Sequence, residues 1–394
     1  MLGGSPDHPG EIEPPAPDDG SAASPSSPPK DSKTLIDRYF RSVMKMSASD
    51  LHLKAGTPAH VRLDGRVRPL QGEPISNEEL EEMVFEIMSP EQRALYAEKG
   101  ACDFARQVGA DRFRINVFRQ RGLTSVAARR IPKEILGYEQ LHLPPVLDKL
   151  ADLRQGLILL TGITGSGKST TIASMLQQIN ERRQCHIVTI EDPIEFVYED
   201  KKAFVNQREI GLDVTDFHDA LKYLMRQDPD VVLIGELRDQ ETFAAALQAA
   251  ESGHLCFGTI HASSCAGAVA RLLELFPEPA RPLIRSSLQF NLQAIICQKL
   301  LPGIRRETPL IPAVEVMIVN STIRKLLGES RDKDLSSVIR NSYHEGMIDF
   351  TESLRRLVET EMISAKTAYE NAPNPEELKM RLKGISVSSG GIIG

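Results

Sequence analysis

Tryptophan is absent from the sequence, and aromatic residues occupy only 5% of its 394 positions. The chain is also acidic overall, with a formal net charge of −7. Proteins that bind single-stranded nucleic acid rely on aromatic side chains that stack on bases and on basic grooves that follow the phosphates. The composition therefore disfavours a nucleic-acid partner.

The sequence also lacks paired cysteines and long apolar runs. No C-x-x-C pair occurs, which argues against structural zinc and against a disulfide framework. No stretch approaches the ~20 apolar residues that a membrane helix needs, and residues 1–7 lack the basic and apolar regions of a signal peptide. We expect a cytoplasmic protein without direct membrane insertion. The five scattered cysteines are Cys102, Cys185, Cys256, Cys265 and Cys297.

Composition and periodicity divide the chain into six parts. The first is rich in proline, serine and acidic residues and cannot bury enough apolar surface to offset its ordering entropy, so we expect a disordered tether. The predicted parts are a disordered tail at 1–31, a small α+β domain at 32–135, a linker at 136–154, an α/β core at 155–320, a helical region at 321–385 and a flexible tail at 386–394.

The α+β domain is predicted from alternating and helical spacing. Residues 51–53 and 61–63 alternate between apolar and polar side chains, as strands do, and Asp64 and Gly65 form a hairpin signal directly after the second segment. Residues 77–98 have helical spacing with Asn77 as the cap, and 103–128 return to strands. His52 and His60 lack the further ligands that a metal site would need.

Arginines crowd the last strands of this domain. Arg112 and Arg114 lie on one side of a strand because side chains alternate along it, and Arg129 follows on the next strand. Guanidinium groups can bind a polyphosphate bidentately. A phosphate clamp and a solvated basic face both fit this pattern.

A phosphate-binding loop begins the α/β core. A buried strand at 156–160 precedes the full G-x-x-x-x-G-K-S/T pattern, and a helix from Ser169 to about Arg183 follows it. The glycines turn backbone N–H groups inward, and the helix N-terminus adds partial positive charge. We expect ATP here, with Lys168 at the β- and γ-phosphates and Ser169 on Mg²⁺. The candidate nucleotide-binding residues are Gly162, Thr164, Gly165, Ser166, Gly167, Lys168, Ser169 and Thr170.

Acidic residues follow two further predicted strands. Glu191 and Glu195 come after the strand at 185–190, and Glu236 follows the strand at 231–234. Because ligands bind at the carboxyl ends of strands in open α/β sheets, these acids could hold Mg²⁺ or activate water. The candidate metal ligands are Ser169, Glu191 and Glu236, and the choice of general base between Glu195 and Glu236 stays open.

Two basic residues complete the candidate catalytic set. Arg238 lies two residues after Glu236 and could pair with either Glu236 or Glu195. His261 ends the strand at 255–260, at the edge that carries the phosphate loop, where it could sense the γ-phosphate by a hydrogen bond.

These segments, in this order, resemble the type IV pilus retraction ATPases of the PilT/PilU group, within the secretion-ATPase superfamily of P-loop NTPases. The resemblance spans about residues 33–385. The matching segments are 47–53, 112–114, 129–132, 161–171, the Asp box at 190–196, 205–209, the Walker B segment at 231–239 with Gly235 before the acid, and the His box at 253–261.

The resemblance implies a RecA-like P-loop NTPase domain preceded by a small PAS-like α+β domain and followed by a helical region. It implies a homo-hexamer that uses ATP and Mg²⁺ to pull pilin subunits from a pilus. It places that ring at the inner face of the inner membrane. The implied partners are an inner-membrane pilus platform protein and, as one alternative, a paralogous retraction ATPase.

Three alternatives remain compatible with the sequence. An accessory or regulatory ATP-binding subunit with weak turnover would keep every motif. A nucleic-acid translocase would share the ring architecture but is disfavoured by the composition. The PilT and PilU branches are not distinguished, because residues 374–383 are more similar to the PilU branch and 322–327 match the family motif incompletely. The extension and type II secretion members of the superfamily usually carry a four-cysteine zinc loop. This sequence lacks that loop, so the resemblance favours retraction over extension.

The C-terminal region is predicted from spacing alone. Residues 280–301 and 335–372 have helical spacing, and 311–320 form an apolar run typical of a strand.

Overall fold

The computed structural model describes residues 34–384 except 64, 110, 132 and 306. The predicted tails at 1–31 and 386–394 lie outside these residues. The described chain is mixed α/β with a six-stranded and a seven-stranded sheet, which confirms the predicted fold class. Among the described residues, no helix is long and apolar enough to span a bilayer.

The first sheet is antiparallel and belongs to the N-terminal domain. Along β5 (Asp111–Gln120), Phe113, Ile115 and Val117 are fully buried while the residues between them are more exposed, as expected for a sheet with one packed face. Phe113 packs on Phe40 with ring centroids 4.6 Å apart. Along the chain this domain contains α1 (Asp37–Lys45), β1 (Asp50–Lys54), β2 (His60–Leu63), β3 (Arg66–Pro69), α2 (Asn77–Ile87), α3 (Pro90–Lys99), β4 (Ala101–Val108), β5 (Asp111–Gln120) and β6 (Leu123–Ile131). The strands lie side by side in the order β3-β2-β1-β6-β5-β4.

The single helix predicted at 77–98 is wrong in two respects. It is broken between α2 and α3, where the Ser89 side chain caps α3 in a reciprocal capping box with Gln92 and Pro90 occupies the first turn, a strong start signal. The cap of α2 is Ser76. Asn77 instead accepts a hydrogen bond from the Thr124 backbone N–H at 2.9 Å.

The predicted linker ends in a packed helix, α4 (Val146–Ala151). Leu147 and Leu150 are buried in the same apolar cluster as Ile158 of the next strand and Met175 of the next helix. The end of the linker therefore belongs to the hydrophobic core of the second domain.

The second sheet carries the predicted site. Its strands are β7 (Gly156–Thr161), β8 (His186–Glu191), β9 (Phe204–Glu209), β10 (Val231–Ile234), β11 (Leu255–Ile260), β12 (Leu292–Pro302) and β13 (Leu310–Ile318). They lie in the order β13-β12-β7-β11-β10-β8-β9, and every neighbouring pair is parallel except β12 with β13. The carboxyl ends of β7, β8, β10 and β11 therefore meet at one edge. The helices between these strands are α5 (Lys168–Arg182), α6 (Phe217–Leu224), α7 (Gln240–Glu251), α8 (Cys265–Glu274) and α9 (Arg281–Asn291).

The helix predicted at 280–301 is wrong beyond Asn291. From Leu292 the chain forms β12, which lies between β7 and β13. Ile295, Ile296 and Cys297 are all buried, because a strand inside a covered sheet packs both of its faces. A short apolar run of this kind cannot be assigned to helix or strand by periodicity alone.

Five short α-helices follow the sheet within the described residues. The stretch predicted as helical at 335–372 is interrupted where Asp349 and Ser364 each cap a new helix. The helices are α10 (Ser321–Gly328), α11 (Leu335–Asn341), α12 (Phe350–Glu359), α13 (Ala365–Asn371) and α14 (Pro375–Leu382).

Candidate active site

The phosphate loop connects β7 to α5 and depends on glycine at its two ends. Gly162 and Gly167 have φ values of 145° and 88°, which side chains disfavour. A Cβ atom at Gly162 would lie 2.4 Å from the Gln298 carbonyl oxygen, and one at Gly167 would lie 2.6 Å from Gln298 Nε2. The loop is therefore curled tightly against β12.

Lys168 starts α5 and is nearly buried. Its Nζ donates hydrogen bonds to the carbonyl oxygens of Gly162 at 2.9 Å and Ile163 at 3.1 Å. Burial lowers the pKa of Lys168, and the nearby carboxylates of Glu236 and Glu195 oppose that change. The ammonium group is thus held at the loop, where a bound anion would favour its charged form.

Glu191 and Glu195 occupy different environments at the end of β8. Glu191 is buried and accepts hydrogen bonds from the Thr189 hydroxyl at 2.7 Å and the Gln207 amide at 3.3 Å. Burial raises its pKa to about 7. Glu195 is exposed, and its backbone N–H donates to Glu191 at 3.4 Å. Glu191 therefore supports the loop that presents Glu195.

Glu236 lies between the two predicted basic residues. Its carboxylate is 2.8 Å from Arg238 Nε and 3.2 Å from His261 Nε2. Arg238 also lies 3.7 Å from Asp192. The geometry orients Glu236 by charge-assisted contacts on both oxygens.

The loop that carries His261 is attached to the end of β7. The Thr161 hydroxyl donates to the Ala262 carbonyl at 3.0 Å and accepts from the Ala262 N–H at 2.8 Å. These bonds place His261 beside the phosphate loop.

One cleft of about 620 Å³ brings most of the predicted residues together. Gly162 lies at the base of the loop and contributes its carbonyl to Lys168. The predicted residues that line the cleft are Arg129, Thr164, Gly165, Ser166, Gly167, Lys168, Ser169, Thr170, Glu191, Glu195, Glu236, Arg238 and His261.

The three arginines of the predicted clamp do not all reach the cleft. Arg129 lines the cleft and lies 2.9 Å from Asp50, whereas Arg114 is paired opposite Arg129 on β5 and does not line it. Arg112 lies 3.7 Å from Glu209 on β9, in the second domain. Of the predicted clamp, the structure brings only Arg129 to the cleft.

Residues that the sequence did not single out complete the walls. Phe196, Tyr198 and Phe217 add aromatic surface to the cleft. Gln298 on β12 contacts the phosphate loop from behind. Local spacing could not have identified Phe217 or Gln298, because these two side chains reach the site only through the fold.

No group of three or more His, Cys, Asp or Glu side chains among the described residues could hold a metal ion by itself. The predicted site differs from such a cluster, since a magnesium ion on a phosphate loop takes few protein ligands and several from phosphates and water. His52 and His60 are cross-strand partners on β1 and β2.

A phosphate loop, two candidate catalytic glutamates and a histidine at the carboxyl edge of a parallel sheet define a P-loop ATPase. Residues 30–326 match the model of a family described as Type II/IV secretion system protein. The chain belongs to this family.

Particular relatives agree with the predicted resemblance. The chain is 41% identical to the type IV pilus retraction ATPase PilT of Pseudomonas aeruginosa over 333 residues, which cover 84% of this chain and 96% of PilT. It is 36% identical to the type IV pilus ATPase PilU of the same organism, over 88% of this chain and 91% of PilU.

Solved structures are similar as well. The crystal structure of the pilus retraction motor PilT with bound ADP is similar with a TM-score of 0.81 and 41% identity, and the match covers 87% of this chain and 98% of that one. The Legionella pneumophila ATPase DotB has a TM-score of 0.73 at 26% identity, with 87% and 96% covered. These matches confirm the predicted resemblance, and the protein is a nucleotide-binding ATPase.

Proposed function

We propose that this protein is the ATP-hydrolysing motor of type IV pilus retraction. One observation carries the proposal. The phosphate loop, three glutamates, two arginines and a histidine meet at one cleft in a chain that is 41% identical to PilT over 84% of its length. Hydrolysis at this cleft would supply the work that removes pilin subunits.

The residues present fit a magnesium ion bound with the nucleotide. The Ser169 hydroxyl and the Glu236 carboxylate line the same cleft and are the oxygen donors that Mg²⁺ prefers. Magnesium would neutralise charge that develops on the phosphates. The third predicted ligand, Glu191, uses its carboxylate for hydrogen bonds within the cleft wall, so we assign it to support of the Asp box.

The two candidate bases divide their roles in this proposal. Among the described residues, no basic side chain lies within salt-bridge distance (4.0 Å) of the exposed Glu195 carboxylate, whereas Glu236 contacts both Arg238 and His261. A general base must be free to accept a proton from water. We therefore assign Glu195 as the base and Glu236, with Arg238 and His261, to orientation around the γ-phosphate.

The N-terminal domain would couple hydrolysis to motion. Arg129 contributes a guanidinium to the cleft from this domain, and Arg112 and Lys133 contact Glu209 and Glu199 of the second domain. A change of charge on the phosphates would alter the closure of the two domains, as in other hinged enzymes. We propose a homo-hexamer at the cytoplasmic face of the inner membrane, acting on a pilus platform protein.

Lys168→Ala tests the proposal. It removes the ammonium from the phosphates and should lower ATP turnover by ~100- to 1,000-fold, the range for loss of one electrostatic group. The matched control is Lys366→Ala, whose side chain is 84% exposed on α13. Purified protein is assayed for phosphate release. Near wild-type turnover in Lys168→Ala would refute the ATPase site.

A cellular experiment separates the motor from a regulatory subunit. Deletion of the gene should leave cells with excess pili that do not retract, and only a chain with intact Lys168 should restore retraction. Restoration by Lys168→Ala would favour a subunit whose own turnover is unnecessary.

A further inference from the structure

Gln298 lies in the middle of β12 and is only 3% exposed. Its side-chain Nε2 donates a 2.7 Å hydrogen bond to the Ser166 carbonyl oxygen, inside the phosphate loop. Its Oε1 accepts a 2.8 Å hydrogen bond from the Thr171 hydroxyl, in the first turn of α5. One buried amide therefore joins the loop to the helix that follows it.

The main chain of the same residue supports the start of the loop. The Gln298 carbonyl oxygen lies 2.4 Å from the position that a Cβ atom of Gly162 would occupy, and Nε2 lies 2.6 Å from that of Gly167. The two glycines thus leave room for Gln298 to approach the backbone closely. The main chain and side chain of Gln298 together therefore approach the loop at both of its ends and at Ser166.

We propose that Gln298 is a positioning residue for nucleotide binding. It holds the loop curled before ATP arrives, so that the backbone N–H groups already face the phosphates and little ordering is required on binding. The inference rests on the proposed function of this site as an ATPase centre. It assigns no direct contact between Gln298 and the nucleotide.

The chemistry of the two partners requires an amide. The Ser166 carbonyl needs a donor and the Thr171 hydroxyl needs an acceptor, and an uncharged amide supplies both. A carboxylate would place an oxygen against the Ser166 carbonyl, and an apolar side chain of similar length would leave both buried partners unsatisfied.

Two substitutions test this role. Gln298→Met keeps the length of the side chain and removes both hydrogen bonds, and should weaken binding of a fluorescent ADP analogue about tenfold, as for loss of buried hydrogen bonds. Gln293→Met is the matched control, because Gln293 lies on the same strand beside Gly156, away from the phosphate loop. The Kd of the analogue and the KM and kcat for ATP are measured for each.

Gln298→Glu provides a readout that general destabilisation does not move. At about pH 8.5 the introduced carboxyl is ionised, and the variant should bind the analogue at least about tenfold more weakly than wild type. Burial raises the pKa of such a carboxyl. Near pH 6 the protonated group can donate to the Ser166 carbonyl, so the ratio of wild-type to variant affinity should shrink about tenfold.

The outcomes are distinguishable. The inference is overturned if both variants bind within about twofold of wild type, if Gln293→Met loses as much affinity as Gln298→Met, or if the affinity ratio of Gln298→Glu is constant with pH. If Gln298→Met does not fold, the pH series of Gln298→Glu decides alone. If the wild-type chain itself binds and hydrolyses no ATP, the proposed function fails instead.

Discussion

Glu191→Gln should change how the stability of the protein depends on pH. Glu191 is only 8% exposed, and burial raises the pKa of its carboxyl from 4.5 to about 7. The unfolded chain loses the Glu191 proton near pH 4.5, whereas the folded chain keeps it until about pH 7. Stability is therefore fully present below the unfolded pKa and is lost as the pH rises through the folded pKa.

The magnitude follows from the two pKa values. Each pKa unit corresponds to about 1.4 kcal/mol, so the full loss at high pH amounts to about 3 kcal/mol. Glutamine cannot ionise, and its carbonyl oxygen can still accept the hydrogen bonds from Thr189 and Gln207. We therefore expect the free energy of unfolding of Glu191→Gln to exceed that of wild type above the folded pKa, and the advantage to disappear below the unfolded pKa.

The assay is denaturant unfolding at a series of pH values without nucleotide or magnesium, since ligands that bind only the folded state would add their own pH dependence. Glu370→Gln on the exposed surface of α13 is the matched control and should follow wild type throughout. A constant difference between wild type and Glu191→Gln across the whole pH range would refute the reasoning.

Two further predictions concern catalysis and nucleotide affinity. Glu195→Gln and Glu236→Gln should each lower phosphate release at least ~100-fold, and only Glu236→Gln should raise the Mg²⁺ concentration needed for half-maximal turnover. A silent substitution would exclude that glutamate from the reaction. Arg129→Ala should raise the KM for ATP about tenfold, whereas Arg112→Ala, which faces the other domain, should leave KM within about twofold. Equal changes in KM would contradict this division of the arginines.

Local motifs made most of the site predictable from sequence. The glycine spacing of the phosphate loop requires a strand before it and a helix after it, and the structure places Lys168 at that junction. Glu236 and His261 follow strands whose carboxyl ends meet at one edge, so the topology of a parallel sheet brings them together.

Contacts between distant segments were not predictable. Gln298 reaches the loop from 132 positions away in sequence, in a stretch whose apolar residues fit a helix and a buried strand equally well. The partner of Arg112 is Glu209 on another sheet, and side-chain alternation along one strand says nothing about which surface that strand will face. These features depend on tertiary packing, which local spacing does not encode.

The position of β12 has a mechanical consequence. Side chains alternate across a strand, so Lys299 points away from the face where Gln298 meets the phosphate loop. Lys299 Nζ donates to the Asn371 carbonyl at the end of α13 at 3.0 Å and lies 4.7 Å from the centre of the Phe350 ring on α12.

A single peptide bond thus separates a residue fastened to the nucleotide loop from one fastened to the C-terminal helices. Since β12 is hydrogen-bonded on both sides, to β7 and β13, it is held in register within the sheet, and no loop lies between the two residues to absorb a displacement. A displacement of β12 that follows the phosphate loop would therefore also displace α12 and α13. The strand thus couples the nucleotide loop directly to the C-terminal helices.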